Sequence, residues 1–219
     1  MTDERLRHLR RAAADDPAAR IALLTARLRA GDLPEDRLRL AAHLGDPAAR
    51  EVLGAAPPAT SSIGRWVHGL APWSADDGWP AWAAEAYARA AAAAAAAVLP
   101  CLERDPEQAA AAGRAVAAMD AWLACPCDAH ARAVVAAGTP FEHVPAGPAA
   151  LFAGRARRFA AGALARMCGV PLLEGPARAS ATEAATSAAR ATSIDVVRAA
   201  IRDALVPWAL LAAEPPRRP

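Results

Sequence analysis

The sequence predicts an all-α protein, and three observations carry that prediction. Alanine dominates a chain of 219 residues in which 55% of positions are hydrophobic but only 5% are aromatic. Alanine is the best helix former because fixing it costs no side-chain entropy, while the usual strand formers are scarce. Apolar residues recur at helical spacing, and Asp-Pro pairs and glycines fall where helices start and stop.

Residues 1–54 form a helical segment with an internal echo. Asp16-Pro17-Ala18-Ala19-Arg20 returns thirty positions later as Asp46-Pro47-Ala48-Ala49-Arg50. Each Asp is a natural N-cap, and each Pro suits the first helical position, where its missing N–H would be unpaired anyway. Leu6, Leu9 and Ala13 mark an opening helix. Ile21, Leu24 and Leu28 mark the next, and Leu38, Ala41 and Leu44 a third that begins near Pro34. Val52 and Leu53 lie on the fourth, while Gly31 and Gly45 stand where glycine closes a helix. The segment resembles one and a half helical-hairpin repeats of the tetratricopeptide or Sel1 kind. Such repeats bury their faces by stacking, so it must pack on the rest of the chain or on a partner.

Residues 55–80 read as a connector rich in Pro and Ser that also holds Trp66, Trp73 and Trp79. Residues 81–214 read as a helical bundle. Its helices run over about 80–99, 105–124, 128–137, 148–168 and 177–190, with a Gly/Pro-rich loop from Gly138 to Pro148. Asp105-Pro106-Glu107-Gln108 has the form of a capping box, with Asp as cap and Gln three residues on. The last helix starts at Thr192 and carries the stripe Ile194, Val197, Ile201, Leu205 and Trp208, one helical face. Pro207 kinks it or begins its last turn.

All 25 basic residues are arginine. Without lysine there is no Walker A or kinase lysine for phosphates and no Schiff-base chemistry. The net charge of +2 is too small for a committed nucleic-acid binder. The alanine run Ala90–Ala97 is closely flanked by Glu85, Arg89 and Glu103, so it reads as a buried helix rather than a membrane span. The charged start Met1-Thr-Asp-Glu-Arg has no apolar leader, so a reducing cytoplasm is expected, with free thiols or a metal rather than disulfides.

No G-x-S-x-G or H-E-x-x-H pattern occurs, and no catalytic residue is assigned. The most specific motif is Cys125-Pro126-Cys127-Asp128-Ala129-His130. Two thiolates and an imidazole at that spacing could share Zn²⁺ or Cu(I), with a fourth ligand from Cys168, His143 or Cys101. Redox chemistry is a further option. The favoured reading is a helix–helix turn whose thiols pack inward, since free Cys often behaves as a small buried hydrophobe, and no cofactor is then expected. Arg155, Arg157, Arg158 and Arg166 read as a solvated helix face, with Phe152 and Phe159 buried on the other side. Trp66, Trp73, Trp79 and Trp82 are the better pointer to a binding surface, because aromatic rings bring large contact area at low entropic cost. The competing reading is that they cap the bundle.

The stretch containing Trp82, Tyr87, the alanine run, Val98-Leu99-Pro100, Glu103, Pro106 and Ala117 to Trp122 resembles the all-α immunity proteins that accompany bacterial polymorphic toxins. The resemblance spans about residues 80–165 and implies a chain that neutralises a toxin by binding it, with no catalysis. The expected function is therefore a non-enzymatic protein–protein interaction module of the immunity or adaptor kind. Its partner is another protein such as a toxin, with neither membrane nor nucleic acid. The second expectation is a small metal-binding protein built on Cys125, Cys127 and His130.

Overall fold

A computed structural model of the chain describes residues 12–13, 15–56, 62–71, 80, 82–103, 105–125, 127–137, 147–167 and 177–211. Every regular element among them is helical. In chain order they are α1 (Pro17–Ala30), α2 (Glu35–Leu44), α3 (Pro47–Leu53), α4 (Ile63–His68) and α5 (Ala83–Ala97), then a 3₁₀ turn over Leu99–Leu102. These are followed by α6 (Pro106–Ala124), α7 (Asp128–Ala137), α8 (Pro148–Met167), α9 (Ala177–Ala191) and α10 (Ile194–Leu211). The protein is all-α, and no helix among the described residues is long and apolar enough to cross a membrane. The chain divides into two compact units, residues 1–59 with 205–219, and residues 60–204.

In the first unit the repeated motif acts as a pair of caps. The Asp16 carboxylate accepts from the Ala18 N–H at 2.9 Å and the Asp46 carboxylate from the Ala49 N–H at 2.8 Å, with a proline opening each helix. Gly31 and Gly45 close α1 and α2 with φ of 76° and 101°, a left-handed conformation that any side chain would strain. Leu38, Ala41 and Leu44 are buried as the spacing predicts, with Leu24 and Leu33 beside them in the core. The end of α10 belongs here as well. The buried Arg37 guanidinium lies 3.6 Å from the centroid of the Trp208 ring, and Arg27 donates to the carbonyl of Leu210. Leu6 and Leu9, predicted to open the segment, lie outside the described residues.

In the second unit α9 packs on α8, α5 and α4, α5 also packs on α8, and α6 and α7 pack on each other. The core is walled mainly by alanine: Ala86, Ala90, Ala91 and Ala94 of α5, Ala156, Ala160 and Ala163 of α8, and Ala181, Ala184 and Ala188 of α9 are all fully buried. Small side chains let helix axes approach closely, and Gly64 shows how closely. A Cβ placed there would sit 3.3 Å from Thr186 Oγ1 and 3.4 Å from Thr182 Cγ2. The buried Tyr87 hydroxyl donates to the carbonyl of His68 at 3.0 Å and ties α5 to the end of α4. Burial pushes that phenol up from its ordinary value.

Several local expectations are corrected. Residues 63–68, inside the predicted connector, are helical, with Ser62 as their cap. The capping box before α6 is only half formed. Asp105 accepts from the Gln108 N–H at 3.0 Å, but its own N–H goes to the Leu102 carbonyl, and Gln108 Oε1 is buried without a partner among the described residues. Ser193, not Thr192, caps α10 through the Val196 N–H, while the Thr192 hydroxyl donates back to the Ala188 carbonyl. Val197, Ile201 and Leu205 are buried, Trp208 is half-buried and Ile194 is exposed. α10 runs on through Pro207. The loop residues 138–146 and the breakers Gly169 and Pro171 lie outside the described residues.

Candidate functional site

The Cys125–His130 stretch is built by the end of α6 and the start of α7. Ala124 ends α6, and Cys125 takes an extended conformation that turns the chain out of the helix. Cys127 immediately precedes Asp128, the first residue of α7, and its carbonyl accepts the Ala131 N–H at 2.9 Å. That bond makes Cys127 the N-cap, so its side chain stands over the unpaired N–H groups of the first turn. His130, half-buried one turn in, points back at the same spot. Its Nδ1 lies 2.8 Å from the Cys125 carbonyl oxygen and 3.4 Å from Cys127 Sγ. The two sulfurs and the imidazole nitrogen all lie within 4.8 Å of one another.

This overturns the reading of a turn with inward-packed thiols. Cys125 and Cys127 are both exposed. The reason is local: the N-cap position directs its side chain along the helix end, not toward the core, and the α6 residues that do point inward are Val116, Met119 and Trp122.

The two thiols are electrostatically unequal. The His130 backbone N–H is the main group stabilising a Cys127 thiolate and pulls that thiol down, with the Cys125 thiol and the Ala129 backbone N–H adding to it. Hydrogen bonding to the Cys127 sulfur, and that sulfur's charge, push the Cys125 thiol up. A carbonyl can only accept, so the short contact to the Cys125 oxygen assigns the imidazole proton to Nδ1. Ligation through Nδ1 would require that proton to shift to Nε2.

The structure does not gather all the proposed ligands. Cys101 is elsewhere in the second unit, its Sγ donating to the Ala191 carbonyl at 3.4 Å, and burial pushes its thiol up. Cys168 and His143 lie outside the described residues. Of the tryptophans assigned to a binding surface, Trp66 is 5% exposed and faces the Arg198 guanidinium, whose centre is 5.6 Å from its ring centroid. Trp82 is half-buried, and Trp73 and Trp79 lie outside the described residues. On α8, Arg155 and Arg158 are exposed as expected, whereas Arg157 is half-buried and burial pulls its guanidinium down. The side chain of Arg166 lies outside the described residues. Phe152 and Phe159 are half-buried, and alanines together with Leu164 occupy the inward face instead.

Sequence reasoning missed an open groove of about 610 Å³ in the second unit. Ala92, Ala93 and Ala96 of α5, Leu123 of α6 and Ala200 of α10 line it, with Arg89 and Asp120 on its wall. Partial burial there pushes the Asp120 carboxyl up. Its only sequence signal is the i, i+3, i+4, i+7 spacing of Arg89, Ala92, Ala93 and Ala96, which a packed face would show equally.

Comparison with models of known protein families, with characterised proteins and with solved structures gave no match.

Proposed function

We propose that this chain is a non-enzymatic helical protein that binds a soft metal ion, Zn²⁺ or Cu(I), through Cys125, Cys127 and His130. One observation carries the reading: the two sulfurs and the imidazole nitrogen lie within 4.8 Å of one another in an exposed turn. Thiolate and imidazole donors favour these ions over hard cations. Structural zinc sites are closed by four protein ligands, whereas a three-ligand set leaves a coordination position open. An exposed, open site suits an ion that is taken up and passed on. The test is metal analysis of the reduced full chain after loading with zinc or with Cu(I). One ion per chain is expected, lost in Cys125→Ser and Cys127→Ser and more weakly held in His130→Ala. Reduced wild-type protein that retains no metal would end this reading.

A second reading, the immunity-type interaction module, rests on the exposed apolar side chains Leu151, Ile194 and Val196 of the second unit, at 44%, 39% and 48% exposure. It expects the chain to rescue growth of cells that express a toxin encoded beside its gene. Val196→Asp should abolish rescue without changing the melting temperature. Failure of wild-type protein to rescue ends that reading.

A further inference from the structure

We infer that the turn joining Cys125 to Cys127 is also a thiol–disulfide switch, in which the two cysteines close a bond with each other and so withdraw both sulfur ligands from the proposed metal site. The inference rests on that site but on a different property of it, the accessibility and mutual position of the sulfurs. Both thiols are exposed, and their sulfurs lie within 4.8 Å. The Cys127 N–H donates to the Cys125 carbonyl at 2.9 Å, which draws the two cysteines together in a tight turn. A disulfide places its sulfurs about 2.05 Å apart, and rotation about each Cα–Cβ bond swings these exposed sulfurs toward one another from within 4.8 Å. The other described cysteine, Cys101, does not compete, because its sulfur bonds the Ala191 carbonyl.

The oxidant is a low-molecular-weight disulfide. The Cys127 thiolate attacks one of its sulfurs, expels one small thiolate and leaves a mixed disulfide on Cys127. The Cys125 thiol gives up its proton and attacks the Cys127 sulfur, expelling the second small thiolate. Two protein thiols become one disulfide, one small disulfide becomes two small thiols, and the two protons go to the departing thiolates. Cys127 is the entry point because its sulfur stands at the open end of α7, with the N–H groups of Ala129 and His130 directed at it.

The experiment exposes the reduced, metal-free full chain to oxidised glutathione and reads the mass of the peptide containing both cysteines. Wild type should lose two hydrogens and regain them with dithiothreitol, and Cys125→Ser should instead keep a stable glutathione adduct on Cys127. A wild-type peptide that carries the same lasting adduct, or a bond from either residue to Cys101 or Cys168, overturns the inference. Zinc loading of each sample separates this idea from the metal reading. Reduced protein that takes up no zinc but still closes the Cys125–Cys127 bond supports the switch while the metal reading falls. Protein that binds zinc when reduced yet never closes the bond overturns the switch alone.

Discussion

Arg20, the last residue of the first Asp-Pro-Ala-Ala-Arg copy, places Nη2 2.5 Å from Oδ2 of Asp46, the first residue of the second copy. The Asp46 carboxylate is 3% exposed and caps α3 with its other oxygen, while Arg20 is 42% exposed. The repeated motif therefore bonds to itself. Arg50, the equivalent of Arg20 in the second copy, turns back to the Ala42 carbonyl at 3.0 Å.

Substitution at Asp46 should separate capping from ion pairing. Asp46→Ala removes both and should cost about 1–3 kcal/mol, a lost cap plus an unpartnered arginine. Asp46→Asn keeps an acceptor for the Ala49 N–H and should cost less. Arg20→Ala should cost about 1 kcal/mol or less, because its exposed guanidinium is screened by solvent. Thermal melting of the three variants checks the order, and equal losses for Ala and Asn would show that the cap contributes nothing.

Ile201 is fully buried on the inward face of α10. Ile201→Ala should destabilise by roughly 2–5 kcal/mol, combining lost transfer energy with a cavity that alanine-rich walls cannot fill. Denaturant unfolding measures this directly, and an unchanged midpoint would place the helix outside the cooperative core.

Two helical glycines should respond in opposite ways. At Gly113 of α6 a methyl group would meet nothing within 4 Å, so Gly113→Ala should stabilise by about 0.5–1 kcal/mol through backbone entropy. Gly64 faces Thr182 and Thr186 at 3.3–3.4 Å, so Gly64→Val should cost about 1–3 kcal/mol by overpacking. Paired calorimetry of the two variants is the check.

The two thiols of the turn should label in a fixed order as pH rises. Cys127 is held below, and Cys125 above, the ordinary thiol value of about 8.5. Only the thiolate reacts, so iodoacetamide should modify Cys127 first and Cys125 only at more alkaline pH. Unfolding in denaturant should merge the two profiles, because the N–H groups of α7 are then lost. The same asymmetry makes Cys125 the last ligand to deprotonate, so metal affinity should fall on acidification as that thiol regains its proton. Peptide mass spectrometry across a pH series reads the first effect and competitive zinc titration the second.

The fold was legible where a residue's local chemistry determines its conformation. Asp-Pro openings and glycine closures placed α1, α2 and α3, because caps act within a few residues of themselves. Sequence reading went astray where tertiary packing decides. Gln108 has the identity for a capping box, but the Asp105 N–H is taken by Leu102. Trp66 was assigned to a binding surface in the Pro- and Ser-rich connector, yet the helix Ile63–His68 buries it. Phe152 and Phe159 were expected on the buried side of α8, but Ala153, Ala156, Ala160, Ala163 and Leu164 fill its inward face and leave both rings half-buried. The candidate site was legible as a motif but not as an exposed convergence. Its geometry depends on Cys127 falling on the N-cap of α7 and on His130 lying one turn further on.

The first unit is assembled from both ends of the chain, residues 1–59 and 205–219. This has a consequence in time. During synthesis the N-terminal helices are made before the 60–204 unit, but the α10 residues that join them, Trp208 against Arg37 among them, are made after it. At about 5–20 residues per second, residues 60–204 take roughly 7–30 s to translate. For that interval Arg37 and its apolar neighbours have no native cover, and the unit can close only after Trp208 has been made. A chain cut short after Ala204 would keep the whole 60–204 unit but leave the N-terminal helices permanently unfinished, and such a product would be the first degraded by a quality-control protease.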